Sequence, residues 1–244
     1  MKKKILLLVQ VRIGSKRLPK KTVLDLAGKP MIFRIIERLK KCKLPEEIVL
    51  ITPDKKENQI FKKISRILKV KIFFGSENNL VERHLNAAKK FKGDVIVRVP
   101  GDNCLPEPKE IDKIIKHHIT QKKRVFSSNL TNIFKSGYPD GIGAEVFDFD
   151  TLKNIAKKKI SKLKKEHLSL NFFDYKKQII VNKRYCEVAT IKCPKSYSFP
   201  KLRLDVNSHK DYLFIKEIYE NLYKKNKFFN IRDTIKYLKK RKFV

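Results

Sequence analysis

Apolar runs and segments with helical spacing alternate four times in the first 120 residues, and this order constrains the fold more than any other feature of the sequence. The run from Ile5 to Val11 is uninterrupted, which is typical of a strand buried on both faces of a sheet. Strands are predicted at residues 5–11, 47–52, 71–74 and 94–99, and helices at 30–41, 60–68, 80–92 and 108–119. Strand followed by helix, repeated in this way, predicts an α/β fold. We expect a three-layer sandwich in which helices cover both faces of a mixed, mainly parallel sheet.

The pattern is less regular after residue 124. It predicts strands at residues 143–147 and 202–206, and helices at 151–173, 209–224 and 231–240. A length of 244 residues, with no internal repeat and no Pro-rich or Ser-rich linker, favours one domain, residues 1–244. We therefore interpret the second half as an insertion and the closing elements of the same domain.

The chain carries 59 basic and 25 acidic residues, which gives a formal net charge of +34. Nucleic-acid-binding proteins often have such an excess. However, 47 of the basic residues are Lys and they are spread over the whole chain, whereas nucleic-acid surfaces cluster their charge and use Arg for bidentate contacts. The composition favours a Lys-rich solvated surface, whose field would also attract small anionic substrates. We expect no nucleic-acid partner, although nucleic-acid binding stays open as an alternative function.

The amino terminus, MKKKILLLVQV, has the charge of a signal peptide, but its apolar run meets Arg12 without a small-residue cleavage site. No apolar run approaches the roughly 20 residues that span a bilayer. The four cysteines form no C-x-x-C pair, which argues against a zinc site or a disulfide framework. We therefore expect a cytoplasmic protein without stable membrane insertion.

The loop after the first predicted strand, VQVRIGSKRLPKK, is rich in cations. It contains neither the G-x-G-x-x-G of dinucleotide-binding loops nor the Walker sequence. Instead, Gly14 permits a close backbone approach, the Ser15 hydroxyl can donate to phosphate oxygens, and Arg12, Arg17 and Lys21 supply positive charge. Ligands of parallel sheets bind beyond the carboxyl ends of the strands. The position therefore favours a triphosphate site over the alternative, a solvated basic loop.

Carboxylates follow two other predicted strands. Asp102 comes after the apolar run DVIVRV and the pair Pro100-Gly101. A carboxylate beside a phosphate loop suits Mg²⁺, which prefers oxygen ligands and is held by one or two carboxylates plus substrate phosphates. The alternative role is a turn stabilised by an Asx hydrogen bond. Asp205 and Asn207 stand two residues apart, so on a strand both would face the same side, about 7 Å apart.

The first loop, R-x-G-S-x-R-L-P-x-K followed by Gly28-Lys29-Pro30, resembles the N-terminal signature of the sugar-acid nucleotidyltransferases. The resemblance is closest to the cytidylyltransferases of the spore coat polysaccharide biosynthesis protein F type, which are related to 3-deoxy-manno-octulosonate and acylneuraminate cytidylyltransferases. Further matching segments occur in family order along most of the chain: Gly75-Ser76-Glu77, Arg83, Ala87-Ala88, Gly101-Asp102, Tyr138-Pro139-Asp140-Gly141, Glu145-Val146-Phe147, Glu166-His167, and Leu202-Arg203-Leu204 before Asp211.

This resemblance implies a nucleotide-diphospho-sugar transferase-like, Rossmann-like fold, with a nucleotide-binding half at residues 1–125 and an acceptor-binding and closing half at 126–244. It implies an enzyme that transfers CMP from CTP to a small anionic acceptor, a sugar acid or a phosphorylated small molecule, and releases pyrophosphate. The implied pathway is surface polysaccharide or capsule biosynthesis. Mg²⁺ is the implied cofactor, and a homodimer is one possible assembly.

The site residues are carried over from the same resemblance, position by position. Catalytic roles fall to Arg12, Lys21 and Asp102. The residues implied to bind the nucleotide are Gln10, Arg12, Gly14, Ser15, Arg17, Lys21, Arg83 and Asp102. Those implied to bind the acceptor are Tyr138, Asp140, Glu145 and His167, where a structural, hydrogen-bonded histidine is the alternative for His167. The implied metal ligands are Asp102 together with Asp205 or Asn207.

The sequence departs from the family's pattern near the expected acceptor and metal. Asn207 stands where relatives have an Asp that can ligate metal. Either Asp205 shares that role, or Asp102 is the only charged ligand of the metal. Asn103 and Cys104 stand where relatives have C-P or x-P, and Gly143 replaces an acid. Losing a carboxylate from the acceptor pocket would suit a more anionic acceptor, such as a phosphorylated one. A phosphoamino-acid or phosphonate acceptor, and a scaffold that binds CTP without turnover, stay open as alternatives.

Overall fold

The structure is a computed structural model that describes residues 3–15, 17–181, 183 and 186–244. Its strands are β1 (Ile5–Gln10), β2 (Glu47–Pro53), β3 (Lys71–Gly75), β4 (Val95–Pro100), β5 (Val125–Ser128), β6 (Glu145–Asp148), β7 (Phe173–Asp174), β8 (Ile179–Ile180) and β9 (Glu187–Ala189). Its α-helices are α1 (Met31–Leu39), α2 (Ile60–Leu68), α3 (Leu80–Lys90), α4 (Pro108–Ile119), α5 (Phe149–Ala156), α6 (Lys162–Glu166), α7 (His209–Leu222) and α8 (Ile231–Lys240).

Most of the strands form one mixed sheet with the order β3-β2-β1-β4-β6-β5-β9. The pairs β1–β2, β2–β3 and β1–β4 are parallel. Strand β6 lies antiparallel between β4 and β5, and β9 is parallel to β5. Strands β7 and β8 form a separate antiparallel ladder. The predicted mixed, mainly parallel sheet is confirmed.

Apolar side chains from both faces of the sheet pack under helices. Leu7 and Val9 of β1 point to the layer that contains α1, α2, α4, α7 and α8. Leu6 and Leu8 point to the opposite layer, with α3 and α5. The central strand is therefore buried on both sides, as its uninterrupted apolar run predicts. The three-layer sandwich is confirmed.

The pairing of β1 with β4 positions the loops that follow them. Gln10 lies opposite Pro100 in the parallel register, so both loops leave the sheet at the same edge. The Gly101 amide donates to the Gln10 carbonyl at 3.0 Å. A Cβ atom at Gly101 would lie 2.3 Å from that same oxygen, so the close approach of the two loops requires glycine.

Two predicted elements of the second half are wrong. The predicted helix at residues 151–173 is interrupted, because α5 ends at Ala156 and the short α6 buries no side chain. The lysines that separate them supply no apolar face to hold one long helix against the core. The predicted strand at 202–206 forms only isolated bridges, Asn103 with Asp205 and Asp140 with Arg203. Within the described residues, no helix has both the length and the hydrophobicity needed to cross a bilayer.

Candidate active site

The cationic loop after β1 and the acid after β4 meet in space. Lys21 Nζ donates to Asp102 Oδ2 at 2.7 Å and to the Val206 carbonyl at 2.8 Å. Arg17 Nη2 donates to Asn207 Oδ1 at 2.8 Å. Three segments that are distant in sequence, at residues 17–21, at Asp102 and at 206–207, therefore form one polar site at the carboxyl ends of the central strands.

The cationic loop is held by a buried side chain that sequence reasoning missed. Asn58 accepts from the Ile13 amide at 2.9 Å, and its own amide group donates to the Pro53 carbonyl at 3.1 Å. The Ser15 hydroxyl accepts from the Leu18 amide at 3.3 Å, which closes the turn. Asn58 lies in a polar segment before α2, and nothing in that segment's pattern distinguishes it from a surface residue. Arg12 and Gly14 are exposed at the loop's surface.

Two carboxylates, Asp140 and Asp205, lie beside Arg203 on the other side of the site. Arg203 donates to both oxygens of Asp205, at 3.1 and 2.8 Å, and its Nη2 lies 3.9 Å from Asp140. Burial raises the pKa of Asp140 to about 7, and the negative charges of Asp205 and Asp102 add to this rise although Arg203 opposes it. At Asp140, the neighbouring negative charges therefore outweigh the single positive charge of Arg203.

The donor set fits Mg²⁺ shared with a phosphate ligand. Among the described residues, no three His, Cys, Asp or Glu side chains gather closely enough to hold a metal by themselves. Asp102 is 27% exposed, and its Oδ1 accepts no hydrogen bond from any described residue. The oxygens of Asp205 are occupied by Arg203 and Asn207, and that of Asn207 by Arg17. Asp102 is therefore the most available of the three predicted ligands.

Two residues implied to bind the nucleotide are engaged with protein groups. Arg83 is buried and donates to the carbonyls of Ser76 and Glu77 at 2.7 and 3.0 Å, so that it holds the loop after β3. Burial, with the charge of Arg12, lowers its pKa to about 10. Gln10 accepts from Arg98 Nε at 2.9 Å.

Of the four residues implied to bind the acceptor, Asp140 is the one that lies beside Arg203 in the described structure. Tyr138 is fully buried and its hydroxyl donates to Glu110 at 2.5 Å. Glu145 is 1% exposed and accepts from Arg98 and from the Tyr175 hydroxyl, so neither of its oxygens faces a ligand. His167 is exposed at the end of α6. Direct acceptor contacts by Tyr138 and Glu145 would require these hydrogen bonds to break.

Tyr138→Phe should act on stability rather than on the acceptor. Glu110 is buried and also accepts from Tyr197 at 2.6 Å, so losing one donor leaves its carboxylate partly unsatisfied. We expect the free energy of unfolding to fall by about 1–3 kcal/mol. Chemical denaturation measures this loss. Because the side chain presents no exposed atom, the acceptor KM should stay within about twofold of wild type, and a larger rise would restore Tyr138 to the acceptor site.

Gly143, which replaces an acid of the related sequences, is packed against Asn129. A Cβ atom there would lie 2.1 Å from the Asn129 carbonyl oxygen. The Asn129 side chain accepts from the Ala144 amide at 3.0 Å and donates to the Glu110 carbonyl at 2.8 Å. The space beside residue 143 is therefore filled by Asn129, and this departure opens no pocket at that position.

Arg98 and Arg203 also escaped prediction as site residues. Arg98 did carry a signal, because it is a single charge inside the apolar run DVIVRV. Arg203 lies in a matched segment of the resemblance, but no pattern connects it to Asp205 and Asp140 before the chain is folded.

Several known proteins are similar in sequence to this chain. The family model described as cytidylyltransferase matches residues 6–237. An uncharacterized protein of Methanocaldococcus jannaschii is 31% identical over 88% of this chain and 83% of its own. The spore coat polysaccharide biosynthesis protein SpsF of Bacillus subtilis is 26% identical over 88% of this chain and 86% of its own. A 3-deoxy-manno-octulosonate cytidylyltransferase of Chloroherpeton thalassium is 32% identical over 46% of this chain and 45% of its own.

A solved structure has the same architecture over nearly the full length. The cytidylyltransferase of Leptospira borgpetersenii superposes with a TM-score of 0.85 and 26% sequence identity, covering 98% of this chain and 95% of that one. The architecture described above and the resemblance drawn from the motifs therefore agree.

Proposed function

Since the chain belongs to the cytidylyltransferase family and is a nucleotidyltransferase, we propose that it transfers CMP from CTP to a small anionic acceptor and releases pyrophosphate. The proposed setting is surface polysaccharide biosynthesis, as the name of the Bacillus relative indicates for that protein. The observation that carries the proposal is the contact between Lys21 and Asp102, because it joins the phosphate loop to the acid that suits a metal.

The proposed reaction is an in-line displacement. An acceptor oxygen forms a bond to the α-phosphorus of CTP, the bond from that phosphorus to the bridging oxygen breaks, and pyrophosphate leaves with the electron pair. A hydroxyl acceptor gives its proton to water. No protein nucleophile is required, so the protein's contribution is position and charge.

The basic residues of the site are proposed to bind the triphosphate, and the acidic residues are proposed to bind Mg²⁺. Arg12, Arg17 and Lys21 would hold and neutralise the triphosphate, because guanidinium and ammonium groups are strong donors to phosphate oxygens. Asp102 would hold Mg²⁺, with Asp205 or Asn207 as the second ligand. When bound, Mg²⁺ supplies Lewis-acid stabilisation of the charge that develops on the phosphate oxygens.

The cations and acids of the site neutralise one another in the structure. Lys21 contacts Asp102, and Arg203 contacts Asp205. Binding of CTP with Mg²⁺ would replace the contact between Lys21 and Asp102. Lys21 would donate to the phosphates, and Asp102 would hold the metal. The proposal therefore includes strongly coupled binding of nucleotide and metal.

For the acceptor we propose a sugar acid or a phosphorylated small molecule. Support comes from the 3-deoxy-manno-octulosonate cytidylyltransferases among the relatives and from the cationic surface. Arg203 is 62% exposed beside the carboxylates, so an anionic acceptor could approach this cation from solvent.

The test is pyrophosphate release from CTP in the presence of Mg²⁺ and a library of sugar acids, phosphosugars, phosphoamino acids and phosphonates, with product mass identifying the acceptor. We expect release with at least one acceptor, and a loss of at least about a hundredfold when the metal is chelated, because the triphosphate's charge is then left to the loop alone. Restoring Mg²⁺ should restore the rate.

Three outcomes would contradict the proposal. Turnover that is unchanged in a chelator excludes the metal, and equal turnover of ATP, GTP and UTP excludes CTP as the specific donor. Tight, salt-dependent binding of duplex or single-stranded nucleic acid without any pyrophosphate release would favour the nucleic-acid alternative.

A further inference from the structure

A buried arginine lies in the centre of the sheet, where apolar side chains are expected. Arg98 belongs to β4, whose residues are all buried, and it is itself 7% exposed. Its neighbours across the sheet are Leu8 on β1 and Glu145 on β6. Burying a guanidinium is costly unless its charge and its donors are satisfied.

Arg98 is satisfied by residues from two other strands. Its Nε donates to Gln10 Oε1 at 2.9 Å, and its Nη1 donates to Glu145. The Tyr175 hydroxyl donates to the second oxygen of Glu145 at 2.6 Å. Burial and the charge of Glu145 raise the pKa of Tyr175, so the tyrosine remains a donor. Gln10, Arg98, Glu145 and Tyr175 thus form a chain of hydrogen bonds, which we call the Arg98 network.

One end of the Arg98 network lies at the nucleotide loop. Gln10 is the last residue of β1, two residues before Arg12. Its carbonyl accepts from the amide of Gly101, which precedes Asp102. The Gln10 side chain is therefore anchored where the cationic loop after β1 and the Asp102 loop after β4 begin.

A contribution to stability is a weak explanation for the buried ion pair of Arg98 and Glu145. Replacing a buried ion pair by apolar residues of similar volume is often neutral or stabilising. Leu8 on the neighbouring strand shows that this part of the sheet accepts an apolar residue. A guanidinium, by contrast, can bind an amide and a carboxylate simultaneously in fixed directions, which a Lys ammonium cannot reproduce.

We infer that Arg98 is a positioning residue, which fixes the Gln10 side chain for nucleotide binding while Glu145 and Tyr175 hold the guanidinium in place. This inference rests on the proposed function and on the nucleotide-binding role that the resemblance implies for Gln10. Glu145 then serves the site as the counter-ion of Arg98, with no direct contact to the acceptor.

The experiment measures the dissociation constant of CTP in the presence of Mg²⁺ by calorimetry, which requires no acceptor. We expect Arg98→Lys and Gln10→Met each to weaken CTP binding about tenfold, the effect of losing one well-oriented hydrogen bond. The double variant should be no weaker than the weaker single variant, since Arg98 acts through Gln10. A purely structural Arg98 would instead give effects that multiply.

The matched control is Arg38→Lys. Arg38 is also a buried arginine, with Nε bonded to the Pro106 carbonyl at 2.9 Å, Nη1 bonded to the Phe229 carbonyl at 2.8 Å, and a buried acid, Glu107, 3.7 Å away. Its variant should lower Tm without changing CTP affinity by more than about twofold, because it lies outside the site.

The outcomes separate the inference from the proposed function. Arg98→Lys with CTP affinity within twofold of wild type, or a double variant weakened about a hundredfold, overturns the inference. If Arg98→Lys does not fold, Glu145→Gln, which keeps the shape but removes the counter-ion, decides in its place by the same threshold. A wild type that binds CTP but turns over no acceptor contradicts the proposed function only, whereas one that binds no CTP overturns both.

Discussion

Asp102→Asn should lower pyrophosphate release about a thousandfold, which corresponds to roughly 4 kcal/mol of lost transition-state stabilisation. Asn keeps the size of the side chain and one oxygen but removes the charge. Asp102 is the predicted ligand with an oxygen free of hydrogen bonds from the described residues, so no neighbouring carboxylate is equally placed to replace it. Steady-state kinetics at saturating Mg²⁺ and CTP measure the loss in kcat.

The fold should tolerate this change. The Lys21–Asp102 pair is partly exposed, and such pairs contribute at most about 1 kcal/mol to stability. We expect Tm to fall by no more than about 5 °C. The matched control is Asp148→Asn, because Asp148 accepts from Lys3 at 3.0 Å and is 23% exposed, yet it lies at the opposite end of the sheet.

Asp148→Asn should retain full turnover. If both variants lose activity equally, the loss reflects general destabilisation and Asp102 is not a metal ligand. If Asp102→Asn retains more than about a tenth of wild-type kcat, Asp205 carries the metal instead, and Asp205→Asn then becomes the deciding variant.

The architecture and the meeting of the two loops could be predicted from the sequence because both follow from local signals. Apolar runs and helical spacing identify the elements, and parallel pairing brings the ends of β1 and β4 to one edge. Lys21 and Asp102 were therefore predictable as neighbours although 81 positions separate them.

The second half was harder to predict because its secondary structure and its side-chain partners depend on tertiary contacts. Residues 202–206 have strand-like composition, but their backbone hydrogen bonds reach single residues and not a neighbouring strand. Leu202 and Leu204 bond to the backbone of Asp140, and Val206 bonds to that of Asp102. Likewise, Tyr138 carries an aromatic ring and a hydroxyl that would suit a ligand. The presence of Glu110 as its partner depends on how α4 packs against the loop at residues 137–143.

Lys21→Met should lower kcat/KM for CTP about a hundredfold or more, because it removes a cation from the triphosphate's proposed site while keeping a long apolar side chain. The matched control is Lys4→Met. Lys4 Nζ contacts Glu47 at 3.2 Å and the Phe91 carbonyl at 2.8 Å, which reproduces the carboxylate and carbonyl partners of Lys21 at the other end of β1. Lys4→Met should retain the wild-type kcat/KM.

The same substitution should have the opposite effect on the metal. In the structure, Lys21 donates to Oδ2 of Asp102, so its positive charge lies on the carboxylate that is proposed to hold Mg²⁺. Removing an ion pair worth about 1 kcal/mol should therefore strengthen Mg²⁺ binding about fivefold, as measured by calorimetry without nucleotide. A lysine that merely supports the loop would weaken CTP without strengthening Mg²⁺. Weaker CTP binding together with stronger Mg²⁺ binding would show that Lys21 and the metal compete for the Asp102 carboxylate. That competition is the physical basis of the coupled binding of CTP and Mg²⁺.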